Sequence, residues 1–518
     1  MIFGRVKPLD AILATAEKKS LTRTLGPWQL TLLGVGAIIG TGIFVLTSEA
    51  AQKAGPGMMW SFVIAGLVCA VAALCYSELA SMVPVAGSAY TYTYAVMGEL
   101  LAWMVGFALI LEYAVSASAV SVGWSGYFVG LLANAGINLP PALTQGFYAP
   151  GGFINLPAML IALVITGLLM IGTTESARVN AVLVTVKVTA LVIFIVITLP
   201  MLNGQNFQPF MPNGWTGPGL GSGLGALGAA ASIFFAYVGF DAVSTAAEET
   251  VNPQRNVPIG LIGALGICTV FYLLVSAGAI GTVGAQPIMG PDGGLLQPGS
   301  TPFAERCQSL LAMGREPLVC SKEALAFVLR EAGHPWLGNA IGIAAFLGLP
   351  SVILIMLFGQ TRIFFVMSRD GLLPTGLAKI HPKWNTPHVI TMITGVAVAA
   401  FAAFLPVGKL ADISNSGTLF AFFMVALSVL ILRRTQPDRE RPFKTPFIWI
   451  VAPLAIIGTV GLYVSLPVEA MLVLPIWGGI GLVIYFLYGY RKSNVARGIV
   501  DVPELDSDAP PEPVPPHN

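Results

Sequence analysis

The feature that most constrains this chain is the spacing of its charges. Fifty-one Lys, Arg, Asp and Glu residues among 518 leave a succession of apolar runs about 20 residues long, the length that crosses a bilayer as helix. A hydrophobic fraction of 55% against 10% charged, with mean hydropathy +0.80, excludes a water-soluble globule. Reading apolar runs bounded by charge, Pro or Gly gives twelve candidate spans: 28–46, 57–79, 100–132, 153–171, 181–199, 225–247, 258–283, 338–367, 388–405, 410–432, 448–466 and 470–490. An even number places both termini on one side. With that side cytoplasmic, nineteen of the 26 Lys and Arg residues fall there, as positive residues in membrane proteins tend to. The expected location is therefore the plasma (inner) membrane, multi-pass, with both termini in the cytoplasm.

Several function classes drop out. Near-balance of 26 basic and 25 acidic residues provides no basic footprint for nucleic acid. Histidines 334, 381, 388 and 517 show no zinc spacing, and neither HExxH nor a phosphate-binding P-loop occurs, so no metal or cofactor is expected. Gly223–Gly228 matches GxGxxG, but no strand precedes it, and it reads as small-residue packing. Residues 1–26 carry five basic side chains before any apolar run, which is not a cleavable signal.

The chain divides into a cytoplasmic amphipathic N-terminus (1–26), a first block of five spans (27–200), a second block (225–432) interrupted by a non-cytoplasmic loop (285–336), two further spans (447–490), and an acidic Pro-rich tail (491–518) that cannot bury an apolar face. The long loop reads as Gly- and Pro-rich and then mildly helical from Lys322 to Glu331. It holds Cys307 and Cys320, a candidate disulfide, with two free thiols the alternative. Cys69, Cys75 and Cys268 lie in spans and read as packing residues.

A solute path through hydrocarbon is marked by broken helices and by ionisable side chains retained despite their cost. Gly34, Gly36, Gly40 and Gly42 crowd the middle of the first span and favour unwinding at 40–42, with close helix packing as the alternative. In the sixth span, Phe234-Phe-Ala-Tyr-Val-Gly239-Phe-Asp241 is equally poor helix. An unwound helix exposes N–H groups that suit a carboxylate and C=O groups that suit an ammonium, which together describe an α-amino acid. Breaks in the first and sixth spans are the pattern of two five-helix repeats of opposite topology. Gly348-Leu349-Pro350-Ser351 reads as a third interruption, with Leu349 setting pocket size.

Thr22-x-x-Leu25-Gly26-Pro27, Gly34-x-Gly36-x-x-x-Gly40-Thr41-Gly42-Ile43-Phe44 and Tyr76-x-Glu78-Leu79-x-x-x-x-Pro84-x-Ala86-Gly87-Ser88-x-Tyr90-x-Tyr92 resemble the amino acid–polyamine–organocation (APC) superfamily. Glu248-Glu249-x-x-Asn252-Pro253-x-Arg255-x-x-Pro258 and Gln360-Thr361-Arg362-x-x-x-x-x-Ser368-Arg369-Asp370-Gly371 are similar to its cationic amino acid transporter branch. The resemblance runs from about residue 21 to 490. It implies an all-α integral membrane protein of 12 transmembrane helices, a LeuT-type 5+5 inverted repeat with broken helices 1 and 6. The implied substrate contacts are the N–H groups of Thr41, Gly42 and Ile43 for the carboxylate, and the carbonyls of Ile38, Ile39, Phe235, Ala236 and Val238 for the ammonium.

Lys187 lies about 9 Å into the fifth span from its cytoplasmic end, where burial disfavours its charged form. It resembles the lysine that replaces sodium in proton-coupled members, so the expected coupling ion is a proton, with Lys187 bonded to carbonyls of residues 36–38. A lysine reaching back to the interface is the alternative. Glu112, about 18 Å into the third span, is either the partner of a cationic substrate side chain or a scaffold residue. Asp241 reads as holding the sixth span together. Glu78, with Arg178, Arg255, Arg362 and Arg369, reads as gating and loop ion pairing at the cytoplasmic face. The function expected is a secondary transporter carrying cationic or small neutral amino acids by alternating access, not an enzyme. An exchanger, a channel, a sensor and a polytopic enzyme are the alternatives, and a lone chain and one accompanied by a small single-span partner both stay open.

Overall fold

The computed structural model describes residues 5–7, 25–83, 88–172, 177–241, 243, 250–384 and 386–498. The amphipathic 8–24 segment, Pro84–Gly87 and Glu248-Glu249 of the motifs, the side chain of Arg178 and the Pro-rich tail lie outside the described residues. Among the described residues the chain is helical, with isolated β-bridges and no strand.

The first span is three pieces, α1 (Pro27–Ile38), α2 (Thr41–Phe44) and α3 (Leu46–Ala54), followed by α4 (Met58–Met82). After α5 (Ser88–Met97) comes α6 (Glu99–Asn134), 36 residues long and mostly buried. Then follow α7 (Leu156–Ile171), α8 (Ala177–Thr198), α9 (Gly225–Ile233) running into a tight turn to Tyr237, and α10 (Pro253–Val283). The long loop holds α11 (Thr301–Ala312) and α12 (Ala324–Glu331). α13 (Pro335–Arg369), α14 (His388–Phe404), α15 (Val407–Thr435), α16 (Ile448–Tyr463) and α17 (Val468–Ile484) complete it.

Seven of the described helical stretches are long and apolar enough to cross a membrane, and five more are apolar but only 10–17 residues long. Two of those five, Pro27–Ile38 and Gly225–Tyr237, are short because the chain breaks at their ends. α6 is the axis of the structure, packed along α13 and α15, while α10 lies on α1 and α4.

The eighth span corrects an expectation. α13 continues through Pro350 without interruption. A proline inside a helix lacks the N–H that would bond the carbonyl four residues back, and that freed group is what usually opens a kink. Here the Phe346 carbonyl accepts the Trp124 indole N–H from α6 at 2.9 Å. Trp124 also stacks on the Phe346 ring, 5.2 Å between centroids, so the neighbouring helix takes up the group that the proline leaves free.

The loop is more structured than its composition implies. Thr301 and Pro302 open α11, with Ser300 as N-cap, and a Cys307–Cys320 disulfide with Cα atoms 5.6 Å apart joins it to the turn before α12. The Gln52 amide of α3 bonds Ile288 O, Leu296 O and Ile288 N–H, pinning the loop to the first span.

Trp124→Phe leaves the half-buried Phe346 carbonyl unpaired, and is expected to lower stability by about 1 kcal/mol. Pro350→Ala supplies a new N–H for the same carbonyl, so in that background the loss is expected to shrink. Thermal unfolding of the four variants in detergent measures the coupling; additive losses contradict the assignment.

Candidate functional site

The two breaks face each other. α1 ends at Ile38, Ile39 and Gly40 are bends, and the next intrahelical bond is Phe44 N–H to Gly40 O at 3.4 Å. The N–H groups of Thr41, Gly42 and Ile43 thus form the open first turn of the continuing helix. In the sixth span, helix gives way to extended backbone at Val238 (φ −60°, ψ 137°) and to Gly239 at φ +115°, a conformation L side chains rarely adopt. A β-carbon on Gly239 would sit 3.0 Å from the Ala37 carbonyl carbon, and one on Gly42 would sit 2.3 Å from the Ala236 α-carbon. Glycine at these positions is therefore what lets the two irregular backbones touch.

Between them is a gap of ≈ 10 Å³, room for about one water. It is lined by Ala37, Ile38, Gly40, Thr41, Gly42 and, from other spans, Val120, Phe235, Val238, Val352 and Met356. Of the expected substrate residues, Ile38, Thr41, Gly42, Phe235 and Val238 line the gap, with Ala236 directly against Gly42. Leu349 and Glu112 are buried but are not among the lining residues. Glu112 sits where α6 meets α15, its backbone carbonyl accepting from the Ser414 hydroxyl at 3.4 Å.

Freed carbonyls at the breaks have partners. Lys187 Nζ donates to Gly36 O at 2.7 Å and to Ile39 O at 3.0 Å. Its side chain is 0% exposed, so it does not reach an interface, and its stem lies across Gly348 of α13. The Tyr272 hydroxyl of α10, at 2.9 Å from Ile38 O and 2.8 Å from Ala236 O, bridges the two breaks. Sequence reading missed Tyr272; a tyrosine with a polar handle in mid-span was its signal. Asp241 accepts from the Tyr113 hydroxyl at 3.0 Å, which ties the sixth span to the third.

Charged clusters flank this centre on two sides. Towards the disulfide loop, the buried Lys53 ammonium pairs with Asp412 at 2.9 Å, and the Ser232 hydroxyl contacts both. Asn415 beside them bonds Ala231 O at 2.7 Å and Ser232 O at 3.0 Å. Sequence reading missed this cluster as well, although a lysine between two apolar spans and an aspartate at the start of another were visible.

On the opposite face Glu78 is held bidentately by Arg433, at 2.7 and 2.8 Å, and by Arg441 Nε at 3.2 Å and Thr445 N–H at 2.8 Å. Neither Arg433 nor Arg441 is among the arginines named from the sequence; of those, Arg362 places its guanidinium over the Phe358 ring, 4.1 Å from the centroid, and Arg255 is exposed. A bidentate carboxylate needs a planar fork at close range, which the ends of α15 and the following turn supply. At the same face, Lys7 pairs with Asp370 at 2.9 Å and Arg5 with Glu99 at 3.3 Å.

Residues 25–488 match the model of a single family, described as amino acid permease. The chain belongs to the amino acid permease family. It is 44% identical to the branched-chain amino acid permease BcaP of Bacillus subtilis (strain 168), over 95% of this chain and 99% of that protein. It is 40% identical to the methylthioribose transporter of the same organism, over 94% and 98%. Against the vacuolar cationic amino acid transporter 4 of Arabidopsis thaliana it is 36% identical over 81% of this chain and 64% of the plant protein. The permease is accordingly a multi-pass membrane protein and a transporter rather than an enzyme, as the APC resemblance implies.

Gly42→Ala drives a methyl group into Ala236, an overpacking expected to cost about 1–3 kcal/mol. Thermal unfolding in detergent checks the loss, and uptake in liposomes should fall more steeply than stability because the same contact borders the gap. Wild-type stability and uptake together would remove the contact from the site.

Proposed function

We propose that this permease carries neutral amino acids with apolar side chains by alternating access, coupled to protons. The observation that carries the reading is the meeting of two helix breaks, Gly42 against Ala236, across a gap with no ionisable side chain in its wall. The open N–H groups of Thr41, Gly42 and Ile43 would take the substrate carboxylate. Carbonyls at Ile38, Ile39, Phe235, Ala236 and Val238 would take the ammonium, using lone pairs that Tyr272 and Lys187 leave free. Val120, Val352 and Met356 would meet the side chain. The relative at 44% identity is named a branched-chain amino acid permease, which supports leucine, isoleucine and valine ahead of lysine or arginine.

A gap of ≈ 10 Å³ cannot hold any amino acid, so the substrate-bound state requires α2–α3 and the sixth span to part. In this reading the protein has twelve spans in a 5+5 inverted repeat of the LeuT type, lies in the plasma membrane and keeps both termini in the cytoplasm. The Lys53–Asp412 cluster is then the outer closure, and Glu78 with Arg433 and Arg441 the inner one, with Lys7–Asp370 reinforcing it.

Lys187 supports proton rather than sodium coupling. An ammonium already donating to two carbonyls beside the first break supplies the cation at that position. Loss of its proton would remove two charge-assisted hydrogen bonds, each of the stronger class, and free α1 to move.

In proteoliposomes, leucine, isoleucine and valine should compete for uptake at least tenfold better than lysine or arginine; the reverse order overturns the substrate assignment. Lys187→Ala should abolish accumulation driven by a pH gradient while retaining counterflow of labelled substrate. Full gradient-driven uptake by that variant refutes the coupling role, and flux without saturation or counterflow points to a channel.

A further inference from the structure

The end of α15 and the turn that joins it to α16 carry five basic residues, Arg433, Arg434, Arg439, Arg441 and Lys444, against the acids Asp438 and Glu440. Two of the five serve the interior, since Arg433 and Arg441 hold Glu78. Arg434 and Lys444 are exposed and have no ion-pair partner among the described residues. We propose that this turn binds the headgroup of an anionic phospholipid, with Arg434 and Lys444 taking its phosphate while Phe447, Trp449 and Ile450 lie among the acyl chains. The proposal rests on the carrier reading for its orientation, which puts the turn at the cytoplasmic leaflet, and adds to it a lipid ligand.

The turn is fixed rather than loose. The buried Arg441 guanidinium donates to the carbonyls of Leu432, Gln436, Pro437 and Arg439 at 2.6–3.2 Å. Beyond it the chain is docked on α4, by Phe443 N–H to Ser81 Oγ at 3.3 Å and by the Thr445 hydroxyl to Leu74 O at 2.9 Å. The outward side chains thus leave from a backbone already ordered, which lowers the entropy lost on binding. Phe447 supplies the apolar half. It stands at φ +45°, and at 81% exposure it is the most exposed large apolar side chain among the described residues. A phenylalanine in that conformation persists only where its surroundings impose it, here by the N–H groups of Ile450 and Val451 closing on its carbonyl. Water offers a bare phenyl ring nothing, whereas hydrocarbon receives it. The Arg434 guanidinium lies 5.4 Å from the centre of the Trp449 ring, itself 56% exposed. Tryptophan and cation together mark the headgroup level of a bilayer, and a guanidinium stacked on a ring keeps its planar donor edge free for phosphate. A zwitterionic lipid brings its own ammonium to this basic turn, so the excess positive charge selects a lipid of net negative charge. Because Arg433 and Arg434 are consecutive, a headgroup held outside braces the segment that holds Glu78 inside.

The test is native mass spectrometry of the full chain released from nanodiscs of mixed phosphatidylcholine and phosphatidylglycerol. Wild type should retain phosphatidylglycerol, and Arg434→Ala combined with Lys444→Ala should retain at least tenfold less. Arg491→Ala combined with Lys492→Ala, which removes equal charge from exposed positions beyond α17, should retain as much as wild type. Equal loss in both double variants means attraction by overall charge and overturns the site. The unfolding temperature of wild type should be higher in phosphatidylglycerol than in phosphatidylcholine, and the rise should vanish in the 434/444 variant; a rise that persists there overturns the site too. Inorganic phosphate added to phosphatidylcholine nanodiscs should not reproduce the rise. If it does, the turn takes a free anion and the lipid assignment falls. Wild type that retains phosphatidylglycerol through Arg434 and Lys444 but shows no counterflow in liposomes overturns the carrier reading and leaves the lipid site standing.

Discussion

Backbone groups inside a bilayer have no water to turn to, so a helix can break there only where something else takes its freed N–H and C=O groups. The rest of this structure depends on that constraint. The first span is interrupted at Ile39–Gly40, and the carbonyls released on its near side are met by Lys187 and Tyr272, both from other spans. Lys187 crosses from α8 and Tyr272 from α10, so the break welds three helices at one level of the protein. Tyr272 adds the sixth span by bonding Ala236 O as well. A buried ammonium of this kind is costly alone, but two short bonds to carbonyls and a stem packed on Gly348 give it a place in the fold.

The parts of this arrangement that were legible in the sequence are those in which one residue type admits few readings. A glycine run in mid-span, a second break signalled by Gly239 among aromatics, and a lysine inside an apolar run each announce a departure from plain helix, and each lies at the centre of the site. Helix positions were legible for the same reason, since apolar length between charges is nearly sufficient to place them. What failed were inferences that need a partner from far along the chain. Pro350 reads as a break because its missing N–H is visible, while the Trp124 indole that satisfies Phe346 lies more than 200 positions away. Arg433 and Arg441 went unnamed as partners of Glu78 because they reach it only once α15 lies beside α4. Helix α11 was hidden by the Gly and Pro on either side of it.

The centre and the two charged clusters beside it differ in chemistry. The gap is walled by apolar side chains and backbone, and the polar groups that meet its carbonyls, Lys187 and Tyr272, lie outside the lining. The clusters are charged and buried or half-buried, where removing a single partner leaves an uncompensated charge at a typical cost of about 3–5 kcal/mol. Pairs of this kind are poor glue compared with apolar packing, yet they are selective. They are satisfied in one geometry and penalised in all intermediate ones, which is a property suited to a closure with two positions rather than a continuum.

Both clusters end on the same helix. Asp412 stands near the start of α15 and Arg433 near its end, 21 positions or about 31 Å apart along the axis. Their partners, Lys53 and Glu78, belong to α3 and α4, which a short turn joins into one element. Under the proposed alternating access, a tilt of α3–α4 about a pivot near the centre would separate one partner pair while pressing the other together. No long-range relay would be needed, because a single lever would carry both latches. The pivot would fall where Gly42 meets Ala236, so the contact that shapes the gap would also be the one about which the lever turns, and release of substrate to one face would be tied mechanically to closure at the other.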